Sequence, residues 1–373
     1  MRILIDYRPA LREPSGVGET VFQLSKALGK LSEEQPQIEL TLFSSSIRDR
    51  LDPAFLPTPA RIVDRKIPVR LLNLLWNRWE WPHIETITGL DYDVVHSSNP
   101  LLIPTAQAAR VITIHDLYFL KHPENTSREI RRDYTALVRN HASRADCVLV
   151  PSEYTRQQVM EHLEIKDDHL VVCPLGMAPS MPRREQPETG PILFIGTLEA
   201  RKNIDGLLDA YTLLLDRFQD APDLILAGRR TSDTRRWAPR LLEPPLRGRV
   251  RQMGYVTPET RETLLKQARL LVLPSFDEGF GLPLLEAMSA GVPIVASNRG
   301  AIPEVLGDAG LLVEPTDSEA LSGAIQKILT DSEHVRISVT RGLQRSAHYS
   351  WQRSARILHD TYAKAIENRR LNL

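Results

Sequence analysis

The residue types best suited to chemistry concentrate in Leu273-Pro274-Ser275-Phe276-Asp277-Glu278-Gly279-Phe280-Gly281-Leu282-Pro283-Leu284-Leu285-Glu286-Ala287-Met288. The apolar start reads as a strand ending at Pro274, and Pro283 suits the first turn of a helix. Between them, Gly279 and Gly281 let the backbone approach a ligand closely. A helix start presents amides and a partial positive charge, so Gly279, Phe280, Gly281, Leu282, Pro283 and Leu284 are expected to line an anion such as phosphate. Two carboxylates bracket the turn. Glu278 lies in the loop, able to face a reacting group. Glu286 lies about one turn into the helix, where a carboxylate could accept hydrogen bonds from two adjacent hydroxyls, as on a ribose. The alternative is a solvated loop acid and a helix-surface acid.

A second strand-to-loop junction is Ile192-Leu193-Phe194-Ile195-Gly196-Thr197-Leu198-Glu199-Ala200-Arg201-Lys202-Asn203. The adjacent cations Arg201 and Lys202 could neutralise a departing diphosphate, a task a metal ion otherwise performs. Away from a strand and a glycine, such a pair is more often a solvated face. In the first half, Gly16-Val17-Gly18 follows a strand and precedes an amphipathic run through Val21, Leu24, Leu28 and Leu31. Val21 replaces the third glycine of a dinucleotide fingerprint, so the signal is either a loop approaching a diphosphate or a plain turn. His115 closes the run Val111-Ile112-Thr113-Ile114. It could bond a sugar hydroxyl or stabilise developing charge, or be structural. His96 and His122 complete no ligand spacing, so no metal is assigned. The triplet Asp91-Tyr92-Asp93 has a spacing that could hold a divalent ion, but it runs directly into Val94-Val95-His96 and reads as a strand start.

The scaffold that must hold these residues is legible in the apolar runs. Strands are expected at Arg2 to Asp6, Glu39 to Phe43, Asp93 to His96, Val111 to His115 and Cys147 to Pro151. In the second half they are expected at Pro191 to Gly196, Leu224 to Gly228, Val250 to Met253, Leu270 to Pro274 and Pro293 to Ser297. Helical stretches alternate with them, as in a parallel sheet covered on both faces. The expected fold is α/β, with two Rossmann-like doubly wound domains facing a central cleft. They cover residues 1–180 and 191–350, joined by a polar, exposed linker at 181–190. Residues 351–373 form a last helix that crosses back to the first domain.

With 373 residues, the chain exceeds a single module at about 150 residues per domain. Its 47 basic and 47 acidic residues cancel, which excludes nucleic-acid binding by bulk charge. Cys147 and Cys173 form no disulfide framework or zinc spacing, and a reducing cytoplasm fits best. The start carries no signal-peptide run, and no segment reaches the roughly 20 apolar residues of a membrane span. Any membrane contact would be peripheral. Residues 61–81 interleave Arg65, Lys66, Arg70 and Arg78 with Leu71, Leu72, Leu74, Leu75, Trp76, Trp79 and Trp81. That stretch either packs on its own domain or lies at a lipid interface, where a lipid-linked acceptor would be met.

Taken together, these motifs resemble the retaining glycosyltransferases of family 4, which have the glycosyltransferase B fold. The resemblance runs from Met1 through the Gly16-Val17-Gly18 loop to the Trp351 region. Its most specific mark is Glu278 followed by seven residues and Glu286, supported by Ala290-Gly291-Val292-Pro293 and Gly300-Ala301-Ile302-Pro303-Glu304. The resemblance implies that Glu278 faces the donor sugar, Glu286 binds the ribose, and Arg201 with Lys202 holds the diphosphate. It further implies that Gly16 sits near the donor phosphates, with Gly18 and Gly196 in the same donor-binding set. His115 would contact the sugar, and backbone near Tyr255 and Val256 would meet the base. Thr197 departs from the pattern, since many members carry arginine there, and this leaves the division of phosphate binding between Arg201 and Lys202 open. Tyr7-Arg8-Pro9 and His115-Asp116-Leu117 look similar to bacterial mannosyltransferases and rhamnosyltransferases of surface polysaccharide assembly. The implied donor is GDP-mannose and the implied acceptor a glycan or lipid-linked glycan, with no cofactor. A sugar-nucleotide epimerase, a nicotinamide oxidoreductase and a noncatalytic nucleotide- or glycan-binding scaffold are the competing readings.

Overall fold

The computed structural model describes residues 1–11, 16–51, 60–123, 134–177 and 181–371. The chain forms two compact units, Met1–Gly176 with Ser350–Leu373, and Met177–Tyr349.

The first unit holds β1 (Arg2–Asp6), β2 (Glu39–Ser45), β3 (Arg61–Arg65), β4 (Val94–Ser97), β5 (Ala109–Thr113), β6 (Cys147–Val150) and β7 (Leu170–Val172). They form one sheet in the order β3-β2-β1-β4-β5-β6-β7, with every pairing parallel. The second unit holds β8 (Ile192–Ile195), β9 (Leu224–Ala227), β10 (Val250–Gly254), β11 (Leu270–Leu273), β12 (Ile294–Ser297) and β13 (Leu311–Val313). Its order, β10-β9-β8-β11-β12-β13, repeats the first unit's pattern. In both sheets the strand order reverses once, beside the first strand. Open α/β sheets bind ligands at the carboxyl ends of the strands flanking that reversal.

The expected strands are all present, within a residue or two at their ends. β3, β7 and β13 were not expected, and each lies at a sheet edge. An edge strand is covered on fewer sides, so its apolar run is weak. Of Arg61–Arg65, only Val63 is buried. Central strands such as Leu270–Leu273 are buried throughout and read as continuous aliphatic runs.

Residues 61–81 are not one amphipathic stretch. Arg61–Arg65 is the edge strand, and Val69–Trp79 is a helix. Leu72 and Trp76 of that helix pack against Leu4, Phe43, Val63 and Ile84. Arg8, two residues beyond β1, stacks over the Trp76 ring at 4.9 Å and donates to Asn73 Oδ1 at 3.0 Å. Leu71, Leu74, Trp79 and Trp81 stay exposed, as do Arg70 and Arg78.

Helix Trp351–Leu371 belongs to the first unit. It is tied down by polar bonds as well as by its buried face. Tyr362 OH meets His96 Nδ1 at 2.8 Å, and Asn368 Nδ2 donates to Asp146 O at 2.9 Å. The division between units falls at Gly176–Met177, before the stretch expected as an exposed linker. Within that stretch Arg183 is held against the second unit, donating Nε to Gly291 O at 3.1 Å and Nη1 to Ala268 O at 2.5 Å. Gly291 caps the C-terminus of helix Leu282–Ala290, where a cation is favourable.

Candidate active site

In the second unit, the loops leaving β8 and β11 meet at the strand-order reversal. The first folds into a tight turn, Ala200–Lys202, and Asn203 then caps helix Ile204–Arg217 by accepting from Gly206 N at 3.2 Å. The second runs from Pro274 to helix Leu282–Ala290. A backbone bond and a side-chain bond stitch the two together, with Phe276 N donating to Arg201 O at 2.8 Å and Arg201 Nη1 donating to Asp277 O at 3.2 Å.

Glu278 is the hub of this junction. Its Oε1 accepts from Lys202 Nζ and from Ser275 Oγ at 2.7 Å, and its Oε2 accepts from Arg201 Nη1 at 2.9 Å. Arg201 Nε also donates to Glu199 Oε1 at 2.6 Å. The side chains of Lys202 and Glu278 are 7% and 6% exposed, so this charge cluster is desolvated. Burial alone would push the Glu278 carboxyl up. The charges of Lys202 and Arg201, with bonds from Lys202 and Ser275, outweigh it and hold the group at about 2. Lys202 is drawn down by burial and by Arg201, against the opposing pull of Glu278. A carboxylate this strongly held is ionised at any working pH and cannot act as a general acid. The sequence suggested separate tasks, with Glu278 facing a reacting group and Arg201 and Lys202 neutralising a diphosphate. The fold joins all three directly.

Glycine conformation shapes the loop at two points. Gly281 precedes the helix with φ +103°, in the region that L side chains avoid. Gly300, at φ +64°, lies against Glu278 so closely that a Cβ there would come within 2.6 Å of Glu278 N. Ala301 N in turn donates to Glu278 O at 2.9 Å. The Gly300-Ala301 pair therefore buttresses the backbone that carries the carboxylate.

The remaining donor-side candidates divide by what they can offer. Gly196, Gly279, Gly281, Leu282 and Pro283 belong to the two loops and the helix start. Phe280 is buried edge-to-face against Tyr349, so its side chain serves the core. Leu284 is a correction. Its side chain is fully buried, and its amide donates to Gly281 O at 2.9 Å, which leaves no donor for an anion. Tyr255 follows β10 with 37% exposure, whereas Val256 is buried. Glu286 accepts from Arg261 Nη1 at 2.5 Å, a partner on helix Pro258–Gln267 that the sequence gave no reason to single out. Ser275 and Glu199 were also missed, because their roles depend on side chains that only the fold brings together.

In the first unit, Gly16 and Gly18 occupy the first turn of helix Gly16–Glu34 rather than a loop, which corrects the loop reading. Pro14 and Ser15 lie outside the described residues. Gly16 is exposed, with open space where a Cβ would stand. His115 lies two residues beyond β5, and its Nε2 is 3.2 Å from Ser98 O. A carbonyl can only accept, so Nε2 carries the proton and Nδ1 is the acceptor. Burial lowers the His115 pKa and keeps the ring neutral near pH 7. His115 is thus suited to accept a hydrogen bond from a hydroxyl rather than to supply positive charge. It borders a cavity of about 30 Å³ with His96, Thr113, Ser98, Thr20 and Ser25. Asp93 of the D-x-D triplet accepts from Arg2 N at 2.7 Å and from Arg2 Nη2 at 2.9 Å, at the amino end of β4, the opposite edge of the sheet from the carboxyl ends where ligands bind.

Two doubly wound units, with paired cations and a carboxylate at a strand-order reversal, are the architecture expected of a glycosyltransferase of the B fold. Sequence comparison agrees. Residues 14–180 match the family model described as Glycosyltransferase Family 4, and residues 190–331 match that described as Glycosyl transferases group 1. The chain is 35% identical over 277 residues to O-antigen chain mannosyltransferase B of Escherichia coli, covering 70% of this chain and 72% of that protein. It is 28% identical over 240 residues to the serotype-specific mannosyltransferase WbdA of Escherichia coli, covering 60% of this chain and 29% of that protein. Among solved structures, sucrose-phosphate synthase from Thermosynechococcus elongatus superposes with a TM-score of 0.77 at 21% identity, covering 97% of this chain and 98% of the other. The chain belongs to glycosyltransferase family 4, and its relatives include bacterial mannosyltransferases.

Proposed function

We propose that this glycosyltransferase moves a mannosyl group from GDP-mannose to a hydroxyl of a glycan or lipid-linked glycan, with retention of anomeric configuration and without a resident metal ion or cofactor. The observation that carries the reading is the cluster of half-buried Arg201 with buried Lys202, Ser275 and Glu278 beside the start of helix Leu282–Ala290. The mannosyltransferase relatives support the choice of sugar.

In this reaction the bond from the anomeric carbon to the diphosphate breaks, and charge grows on the departing phosphate oxygen. Arg201, Lys202 and the positive end of helix Leu282–Ala290 stabilise that charge, taking the part a divalent ion plays elsewhere. The acceptor oxygen bonds the same face of the anomeric carbon, and its proton passes to the leaving phosphate. Glu278, with both oxygens already bonded, is a poor nucleophile and serves to orient the cations and the sugar. His115 accepts from a sugar hydroxyl through Nδ1.

Glu286→Ala is expected to weaken GDP binding about tenfold by calorimetry, the loss of hydrogen bonds to a charged acceptor. Unchanged affinity would remove the ribose assignment. An epimerase would change the donor with no acceptor present, and a noncatalytic scaffold would bind it without transfer. Chromatography of donor incubated with and without acceptor glycan separates these cases.

For a lipid-linked acceptor, a membrane contact through helix Val69–Trp79 follows naturally. Leu71, Leu74 and Arg78 share its outward face, flanked by Arg70, Trp79 and Trp81. Leu71→Asp with Leu74→Asp should abolish co-sedimentation with vesicles containing anionic lipid. Equal binding by wild type and variant would refute this contact.

A further inference from the structure

We infer that Arg261 is a positioning residue for nucleotide recognition, fixing the carboxylate of Glu286 so that it can accept the two ribose hydroxyls. This rests on the reading of Glu286 given above and adds the group that sets its geometry.

The pair bridges two helices. Arg261 is in the early part of helix Pro258–Gln267, whose N-cap Thr257 accepts from Thr260 N at 3.3 Å. Glu286 is on Leu282–Ala290, the helix whose start forms the anion-facing turn. A cation near a helix N-terminus opposes the helix dipole, so Arg261 is held there by a favourable partner rather than by its own helix. That partner is Glu286, at 2.5 Å, and the two side chains are only 22% and 11% exposed.

The chemical consequence concerns rotation. An exposed glutamate turns freely about its last bond, and its carboxylate plane takes many orientations. Two adjacent hydroxyls require one plane, with both donors converging on it. A guanidinium bonded to Oε1 sets that plane before the ligand arrives. Orientation is then settled in the free protein rather than at the cost of binding affinity. Neither Arg261 nor its spacing from Glu286 forms a recognisable motif, and the contact exists only because the two helices pack side by side.

The test compares GDP with 2′,3′-dideoxy-GDP by calorimetry, in wild type, Arg261→Met and Arg261→Lys. Wild type should favour GDP by about tenfold, the discrimination expected of hydrogen bonds to a carboxylate. Arg261→Met should lose most of that preference, weakening GDP while leaving the dideoxy compound within about twofold. Arg261→Lys, which keeps the charge but not the planar fork of donors, should recover part of it. A purely structural role for Arg261 would weaken both nucleotides alike and leave their ratio intact, and that result overturns the inference. A wild type with no preference for the ribose hydroxyls would instead remove the reading of Glu286, and the inference with it. Should Arg261→Met fail to fold, the same ratio measured in Arg261→Lys decides, with full wild-type discrimination counting against the proposal.

Discussion

Replacing Lys202 with Met, or Arg201 with Ala, is expected to lower transfer by about 10²- to 10³-fold, the usual loss for one preorganised donor to a developing anion. The effect should fall on kcat more than on KM, because the charge these residues meet grows as the sugar–phosphate bond breaks. Lys202 should be the more sensitive position. It is almost wholly buried, and its ammonium is shared with Glu278, so nothing else can take its place. Arg201 divides its guanidinium among Glu199, Glu278 and the Asp277 carbonyl, and its contribution is more distributed. Near-normal turnover in both variants would show that leaving-group stabilisation lies elsewhere.

Glu278→Ala is expected to produce the largest loss of stability of any single change at the site. It leaves Lys202 buried, with the half-buried Arg201 beside it, without the carboxylate that neutralises them. Removing one partner of a buried pair typically costs about 3–5 kcal/mol, which for a unit of this size is a fall of about 10 °C in melting temperature. GDP or pyrophosphate should restore much of that loss, since a diphosphate supplies the missing negative charge. The pH dependence carries a second signature. In the folded protein Glu278 is held at about 2, against about 4.3 for an unfolded glutamate. Its contribution is therefore complete above about pH 4.3 and disappears as pH falls through 2. The variant should show a flatter stability curve across that interval. An unchanged melting temperature, with no response to diphosphate, would contradict the role of Glu278 as the internal counter-ion.

How much of this could be read from residues alone depended on how local the cause was. Buried central strands announce themselves, as Leu270–Leu273 and Ile192–Ile195 do, because every side chain meets core on both faces. The two loops that follow them could be found for the same reason, with glycines and Pro283 marking where a strand gives way to a helix. The edge strand Arg61–Arg65 was hidden by its own polar, half-exposed character. Two further features needed the fold. Glu278 could be recognised as a site residue, but its bonding to both cations depends on the β8 and β11 loops meeting at the reversal. The tautomer of His115 is set by Ser98 O, a backbone atom at the end of a different strand. Arg261 illustrates the limit most clearly, being one arginine among many until its helix is laid beside Glu286.

The central claim is that a diphosphate binds where Lys202, Arg201 and the start of helix Leu282–Ala290 converge. Calorimetric titration of wild type and Lys202→Met with the mono- and diphosphates of guanosine and uridine tests it most directly. Wild type should bind one of the diphosphates at least about tenfold more tightly than the matching monophosphate, and Lys202→Met should erase most of that difference. A wild type that does not distinguish mono- from diphosphates, or a variant that distinguishes them equally well, would contradict it.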